Sequence, residues 1–449
     1  MKICMTLQGF PPDLLGGTEA TVRSLSRSLR DRGHEVLVVA GTDQWQEGFR
    51  ISHEVQEGIR VYRIHRDDPH YAHWHKGSCG RTGDAFTEIL ERERPDIVHV
   101  HHWLRLTHDL ARRAVDAGIP AVVSLHDLSS TCLVHHRIRP EPDLDYCAVP
   151  LAPEPCIRCA EGMHLSTPWI SEDSAASRVH ALQAHVRDEL RAASAVTALS
   201  TDQAAKLHRF LEGAGEILVV PPTLRPEELP APRPPRALPA KGEPVRLGAW
   251  GTLGLLKGLD LLVRAVRRAV DAGARLEVEI AGQDSHPDYA NSVRAAAEGL
   301  PIRFHGPYSS IEGNPATDVH AFVSATRAHE TWGLVADEAV AIGLPMLLPR
   351  AGAFVERFEP GGALFYASGD EVALSDLLVR VAREPQLLES TRRDLGRAWQ
   401  PEEWSRRFET IYADALANGP AQAPPGREAE LASEADWMRT WNQGFEQAF

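Results

Sequence analysis

Residues 245–282 read VRLGAWGTLGLLKGLDLLVRAVRRAVDAGARLEVEIAG. Val245–Trp250 is a short apolar run that stops at a glycine, as a buried strand does. Leu259–Ala272 carries apolar residues at helical spacing, and Leu276–Ala281 reads as a second strand ending at Gly282. Strand, helix, strand in this order predicts two parallel strands joined by a crossover helix. The pattern continues downstream. Ile302–His305, Val319–Ser324 and Pro345–Pro349 read as strands, and Asp337–Ile342 reads as a helix.

The first half of the chain repeats the alternation. Ile3–Leu7, Glu35–Ala40, Pro95–His101 and Pro120–Leu125 are strand-like, and Glu19–Arg32 is helical, with Val22, Leu25 and Leu29 on one face and Gly33 as its stop. Between the halves, Arg225–Pro244 is crowded with Pro226, Pro230, Pro232, Pro234, Pro235, Pro239 and Pro244. Proline lacks an N–H donor, so this stretch is read as a linker. At 449 residues the chain exceeds one ordinary core. The fold class expected is α/β, with two doubly wound Rossmann-like domains facing a cleft. The expected divisions are 1–224, a linker at 225–244, 245–400, a helix at 401–417 that packs back on the N-terminal domain, and a flexible segment with an aromatic tail at 418–449. Trp437, Trp441 and Phe445 mark that tail. Doubly wound sheets bind ligands beyond the carboxyl ends of their strands, so the site is expected in the cleft.

Composition narrows the function. The chain is 43% hydrophobic and 24% charged, which is typical of a globular protein. A net charge of −14 argues against a nucleic-acid partner, because phosphate backbones need a basic surface. No run approaches the ~20 apolar residues of a membrane span, so membrane contact is expected to be peripheral at most. Met1–Leu7 runs directly into a strand without signal-peptide features, and the expected location is cytoplasmic.

Residues 324–349 carry the chemistry. Glu330 and Glu338 flank Trp332-Gly333-Leu334 at a strand–turn–helix junction. A glycine and a helix N-terminus offer backbone N–H groups to an anion, and the carboxylates accept from sugar or ribose hydroxyls. The plainer reading of either glutamate is an acid complementing the helix dipole. Lys257, unfavourable beside the start of the helix at Leu259, is explained by a phosphate partner. Gly16 and Gly17 permit close backbone approach to a ligand, or simply a tight turn. His126 ends a strand, and Asp127 either fixes its tautomer or caps the next turn. His99 and His101 are candidates for the acceptor side. There is no H-E-x-x-H helix among the many histidines.

Cys132, Cys147, Cys156 and Cys159 fall within the loop 128–163, which has little apolar content of its own. Four thiols suffice for a structural zinc that shapes the loop. Disulfides, free thiols and an iron–sulfur cluster are the other readings.

Taken in order, these motifs resemble the retaining GT-B glycosyltransferases of family 4. Gly16-Gly17-Thr18-Glu19, Arg32-Gly33-His34-Glu35-Val36, Pro95–His101 and Ser124-Leu125-His126-Asp127 are similar to that family's landmarks, and Glu330 and Glu338 fit its E-x7-E motif. A cysteine-bearing insertion after the His-Asp motif also occurs in some members. The resemblance implies transfer of a sugar from a nucleotide-sugar donor, most often UDP- or GDP-linked, to a hydroxyl-bearing acceptor. It implies retention at the anomeric carbon and no cofactor or catalytic divalent metal. It assigns Glu338 to the ribose and Glu330 to the donor sugar, and it sets His126 near the reacting centre, holding the donor sugar or the acceptor. Lys257 and the amides of Gly333 and Leu334 are assigned to the diphosphate. The chain departs from the pattern at Thr252, where many members carry an arginine; Arg327 and Arg350 are the candidates to replace its charge. A degenerate partner subunit and a nucleotide-sugar epimerase on the same scaffold are the alternatives, and the pathway, polysaccharide or natural product, is left open.

Overall fold

The computed structural model describes residues 1–449 apart from 15, 45, 143, 164, 166, 212–214, 235, 309, 310, 312, the side chain of 392, 393–399, 423–435, 445 and 447–449. Pro235 of the linker, most of the segment 418–430, the end of the expected 245–400 domain and Phe445 of the aromatic tail therefore lie outside the described residues. The chain divides into two compact units. One comprises Met1–Pro140, Ala148–Leu224 and Gln400–Phe449; the other comprises Glu141–Cys147 and Arg225–Trp399.

The first unit is built on eight strands: β1 (Lys2–Leu7), β2 (Glu35–Ala40), β3 (Arg50–Gln56), β4 (Ile59–His65), β5 (Ile97–Val100), β6 (Ala121–Leu125), β7 (Ala193–Ala198) and β8 (Ile217–Val219). Their order is β3-β4-β2-β1-β5-β6-β7-β8, parallel throughout except β3 against β4. Helices cover both faces, which is why β1, β2 and β5 read as continuous apolar runs. Ile3, Met5 and Leu7 pack with Val22, Leu25 and Leu29 of the helix Gly17–Asp31. The helix Pro401–Asn418 joins the same core through Trp404, Phe408, Ile411 and Tyr412. Glu409 of that helix accepts from Arg32 at 2.7 and 2.6 Å and pairs with His34 at 2.8 Å.

The hairpin β3–β4 is absent from the expected pattern. Its turn, Glu57-Gly58, has φ of 50° and 78°, the positive pair that suits a two-residue hairpin. β3 reads RISHEVQ and is largely exposed, so it lacks an apolar signature.

Two further features organise this unit. Glu189, in the helix Glu172–Ala192, is fully buried and caps the helix Leu110–Asp116 from outside. Its carboxyl group accepts from the amides of Ala111 and Arg112 at 2.8 and 2.9 Å and from Trp103 Nε1 at 2.8 Å. The second is the tail. Residues 436–444 are helical. Trp441 is fully buried, edge-on to Trp169 at 5.4 Å. The buried Lys76 ammonium lies 3.9 Å from its ring, with Asn442 Oδ1 at 2.7 Å and Asp68 at 3.2 Å. Burial pushes Lys76 down to about 8 against the pull of Asp68.

The second unit has six parallel strands: β9 (Val245–Trp250), β10 (Leu276–Ala281), β11 (Ile302–Phe304), β12 (Ala321–Val323), β13 (Met346–Pro349) and β14 (Leu364–Tyr366), in the order β11-β10-β9-β12-β13-β14. β9 and β10 have the limits that the quoted stretch predicts. The helix expected at Asp337–Ile342 begins earlier, at Leu334, because Gly333 adopts a left-handed φ of 85° and starts it there. Among the described residues no helix is long and apolar enough to cross a membrane.

Glu189→Ala is expected to lower stability by about 2–4 kcal/mol, since three buried donors lose their acceptor together. Trp441→Ala is expected to cost about 3–5 kcal/mol by emptying a filled site. Urea denaturation of each variant beside wild type checks both.

Candidate functional site

In the second unit the chain runs from β9 to β10 to β11, then returns to place β12 on the other side of β9. The strand order reverses between β9 and β12, and ligands of open α/β sheets sit outside the carboxyl ends at such a reversal. The two stretches that follow these ends carry the predicted residues.

After β9 comes a turn with a 3-10 segment, Leu255–Lys257, and then the helix Leu259–Asp271. Gly258 links them at φ 65°, and a Cβ there would lie 1.9 Å from the carbonyl oxygen of Ala325, so only glycine fits. After β12 the chain forms the 324–333 loop, and Gly333 starts the next helix. A Cβ on Gly333 would lie 2.5 Å from the Phe354 ring. Leu334 is the first residue of that helix, so the Gly333 and Leu334 amides stand at its N-terminal end.

Lys257 Nζ donates to Glu330 Oε1 at 2.7 Å, and Thr326 Oγ1 donates to the same oxygen at 3.0 Å. Glu338, eight positions on, accepts from Trp250 Nε1, the last residue of β9, at 2.7 Å. Burial raises the Glu338 carboxyl to about 7, with Asp337 adding to the rise and Trp250 opposing it. Tyr308 lies near enough to feel that charge; burial and then Glu338 push its hydroxyl up. Thr252 is exposed, between Gly251 and the buried Leu253.

Of the two arginines proposed to replace the missing charge at position 252, one is buried and the other is paired at the surface. Arg327 is buried and holds Asp260 through Nη1 at 2.8 Å and Nη2 at 2.5 Å, and it donates to the Leu255 carbonyl at 2.8 Å. Arg350 pairs with Glu359. Trp332 packs into the turn. Its Nε1 donates to Asp337 at 2.8 Å, and the Arg357 guanidinium covers its ring at 3.9 Å while bonding Asp337 at 2.5 Å. Trp250, Thr326, Asp260, Asp337 and Arg357 were not found by motif. Their partners lie up to 88 residues away, as for Trp250 and Glu338, and no local spacing marks them.

In the first unit the strand order reverses between β1 and β5. Gly16 and Gly17 begin the helix after β1, and Glu19 Oε2 accepts from the Gly16 amide at 3.0 Å. His99 lies within β5 and His101 just past it. His101 Nδ1 meets His126 Nε2, beyond the end of β6, at 2.8 Å. Burial pushes His126 down to about 4 and His101 well below the usual range, so both imidazoles are neutral near pH 7. His99 is an interior residue and not part of an acceptor surface. It is fully buried, between Tyr412 Oη and Ser124 Oγ, each at 2.7 Å. Asp127 interacts electrostatically with its neighbour His126. It takes His102 Nε2 at 3.2 Å and closes a turn by accepting from the Ser129 amide at 2.8 Å. Burial opposes its ionisation, but His102 and Ser129 outweigh that and hold it well below the usual carboxylate range.

No disulfide joins any of the six cysteines. Among the described residues no group of three or more His, Cys, Asp or Glu is arranged to hold a metal ion. Cys147 lies in the short segment assigned to the second unit, while Cys132, Cys156 and Cys159 belong to the first.

These two reversal-point sites, each on its own doubly wound sheet, define a class: the GT-B fold. Residues 16–223 match the glycosyl transferase 4-like domain, and residues 244–384 match glycosyl transferases group 1. The chain belongs to the glycosyltransferases built from this pair of domains. Among curated relatives, glycogen synthase of Mycobacterium tuberculosis is 26% identical over 379 residues, covering 79% of this chain and 80% of the relative. Among solved structures, sucrose-phosphate synthase from Thermosynechococcus elongatus superposes with a TM-score of 0.64 at 17% identity, covering 93% of this chain and 99% of the other. HepE from Anabaena, solved with UDP and glucose, gives a TM-score of 0.59 at 17% identity over 92% and 99%. These likenesses do not favour the epimerase or partner-subunit readings.

The raised Glu338 carboxyl has a consequence for stability. Its pKa in the folded chain, about 7, lies above the ordinary value of 4.5. The folded state therefore holds the extra proton between these values, and the contribution of Glu338 falls as pH rises through that window. Glu338→Gln is expected to gain stability relative to wild type by roughly 1–3 kcal/mol on going from pH 5 to pH 8. Paired thermal melts across that range check it, and a difference independent of pH would contradict the assignment.

Proposed function

We propose that the chain is a retaining glycosyltransferase that moves a sugar from a nucleotide-sugar donor, UDP- or GDP-linked, to a hydroxyl-bearing acceptor. The observation that carries this reading is the contact of Lys257 with Glu330, on the two stretches that leave β9 and β12. A lysine and the exposed amides of a glycine-started helix suit a diphosphate. Glu338, fixed by Trp250, suits ribose hydroxyls, and Glu330 suits the donor sugar. A uridine donor is supported by HepE, which has been solved with UDP-glucose.

Retention without a protein nucleophile requires a front-face displacement. The C1–O bond to the diphosphate breaks as the acceptor oxygen bonds C1 on the same face, and the acceptor proton passes to the departing phosphate oxygen. Lys257 and the helix amides stabilise the charge that develops on the leaving group, in place of a divalent metal. With Thr252 where an arginine is common, Lys257 is the main cation in this role. His126, neutral and oriented by His101, offers a ring nitrogen to the donor sugar or the acceptor.

Lys257→Ala and Glu330→Ala are each expected to lower the kcat/KM for nucleoside diphosphate release from a UDP- or GDP-sugar by roughly 100-fold or more, about 3 kcal/mol of transition-state stabilisation. Steady-state assays with both donors check this. Unchanged turnover in Glu330→Ala would remove Glu330 from the site.

A further inference from the structure

The first unit contains a small, partly open cavity of about 40 Å3 that the proposed reaction does not use. About 10–15 Å3 admits one water, so this space holds a group the size of a phosphate and not a sugar ring. Trp74, Arg105, Ser130, His102 and His135 are among its lining residues, and no carboxylate lines it.

Three of these residues present buried polar atoms that lack a hydrogen-bond partner among the described residues: Trp74 Nε1, Ser130 Oγ, and Arg105 Nε and Nη1. Every one of these groups can donate. A buried donor left without an acceptor costs about 1–3 kcal/mol, and more when it is charged. Several orphaned donors around one cavity call for a ligand rich in acceptors.

The backbone points the same way. Arg105 and His135 adopt left-handed φ of 63° and 72°. Residues other than glycine are strained there by about 1–3 kcal/mol, and such strain clusters at binding sites. Two charges outside the lining bear on the site. Glu19 interacts with Arg105 and His102, and burial raises its carboxyl. Asp127 is already engaged by His102.

We infer that this cavity binds a phosphate-like oxyanion, with the Arg105 guanidinium as its principal partner and Trp74 Nε1 and Ser130 Oγ as further donors. The group is either free phosphate or a phosphate monoester on the acceptor. Only the second source rests on the transfer reading above.

Calorimetric titration of the full-length protein tests the site, with inorganic phosphate and glucose 6-phosphate as probes and UDP as an independent ligand. Wild type is expected to bind phosphate, Arg105→Gln at least tenfold more weakly, and Ser130→Ala several-fold more weakly, while all three bind UDP equally. Tighter binding of glucose 6-phosphate than of phosphate identifies a monoester; the reverse identifies the free ion. If wild type takes up neither probe at millimolar concentration, or Arg105→Gln binds both as wild type does, the inference is overturned. Should Arg105→Gln fail to fold, Ser130→Ala decides: unaltered binding overturns the site. Loss of UDP binding in wild type would count against the donor reading and leave the oxyanion result standing.

Discussion

The Arg327–Asp260 pair holds the second unit's site together. Arg327 comes from the loop after β12, and Asp260 from the first turn of the helix after β9. The guanidinium takes both carboxylate oxygens and also the Leu255 carbonyl, in the turn that carries Lys257. Asp260 receives Tyr289 at 2.7 Å and Arg264 at 2.9 Å as well. A planar, two-pronged cation is needed for this, and lysine would not reproduce it. The pair ties together the two loops that meet at the strand-order reversal. The contact of Lys257 with Glu330 is thus a consequence of a fixed backbone on both sides. Losing Asp260 would strand the buried Arg327 guanidinium, a cost of about 3–5 kcal/mol. Arg327 is a positioning residue, and that is why it is not available as a substitute cation for position 252.

A second ion pair does similar work around the glycine-started helix. Asp337 accepts from both Trp332 and Arg357, and Arg357 also donates to the Trp332 carbonyl at 2.6 Å. The helix is short, Leu334–Ala341, and a helix of that length is not stable on its own. Buried tertiary contacts must hold its first turn, and with it the amides that would face an anion.

What the sequence made legible follows from how each residue is held. β9 and β10 each send a row of apolar side chains into the core, so their limits were legible. The Glu330–Glu338 segment was legible because a strand end, a glycine and a helix start lie within one short window. β3 was not legible, since an exposed edge strand needs no apolar face. The pairs that hold the sites were not legible either. Arg327 and Asp260 are 67 residues apart, and Asp127 finds His102, 25 residues away.

The histidines of the first unit show how burial decides chemistry. His99, His101 and His126 form a continuous set: the rings of His99 and His101 lie 3.8 Å apart, and His101 bonds His126 at 2.8 Å. Burial holds all three low, so none carries charge near neutral pH. Two neutral imidazoles bond only when one donates and the other accepts. His101 and His126 must therefore adopt complementary tautomers, and the choice at one ring fixes the other. A hydroxyl presented to His126 would meet a ring nitrogen whose donor or acceptor character is set from inside the sheet. Such a ring can orient a sugar hydroxyl well, but it has little capacity to hold a proton. That agrees with a transfer in which the leaving phosphate, and not a protein base, takes the acceptor's proton.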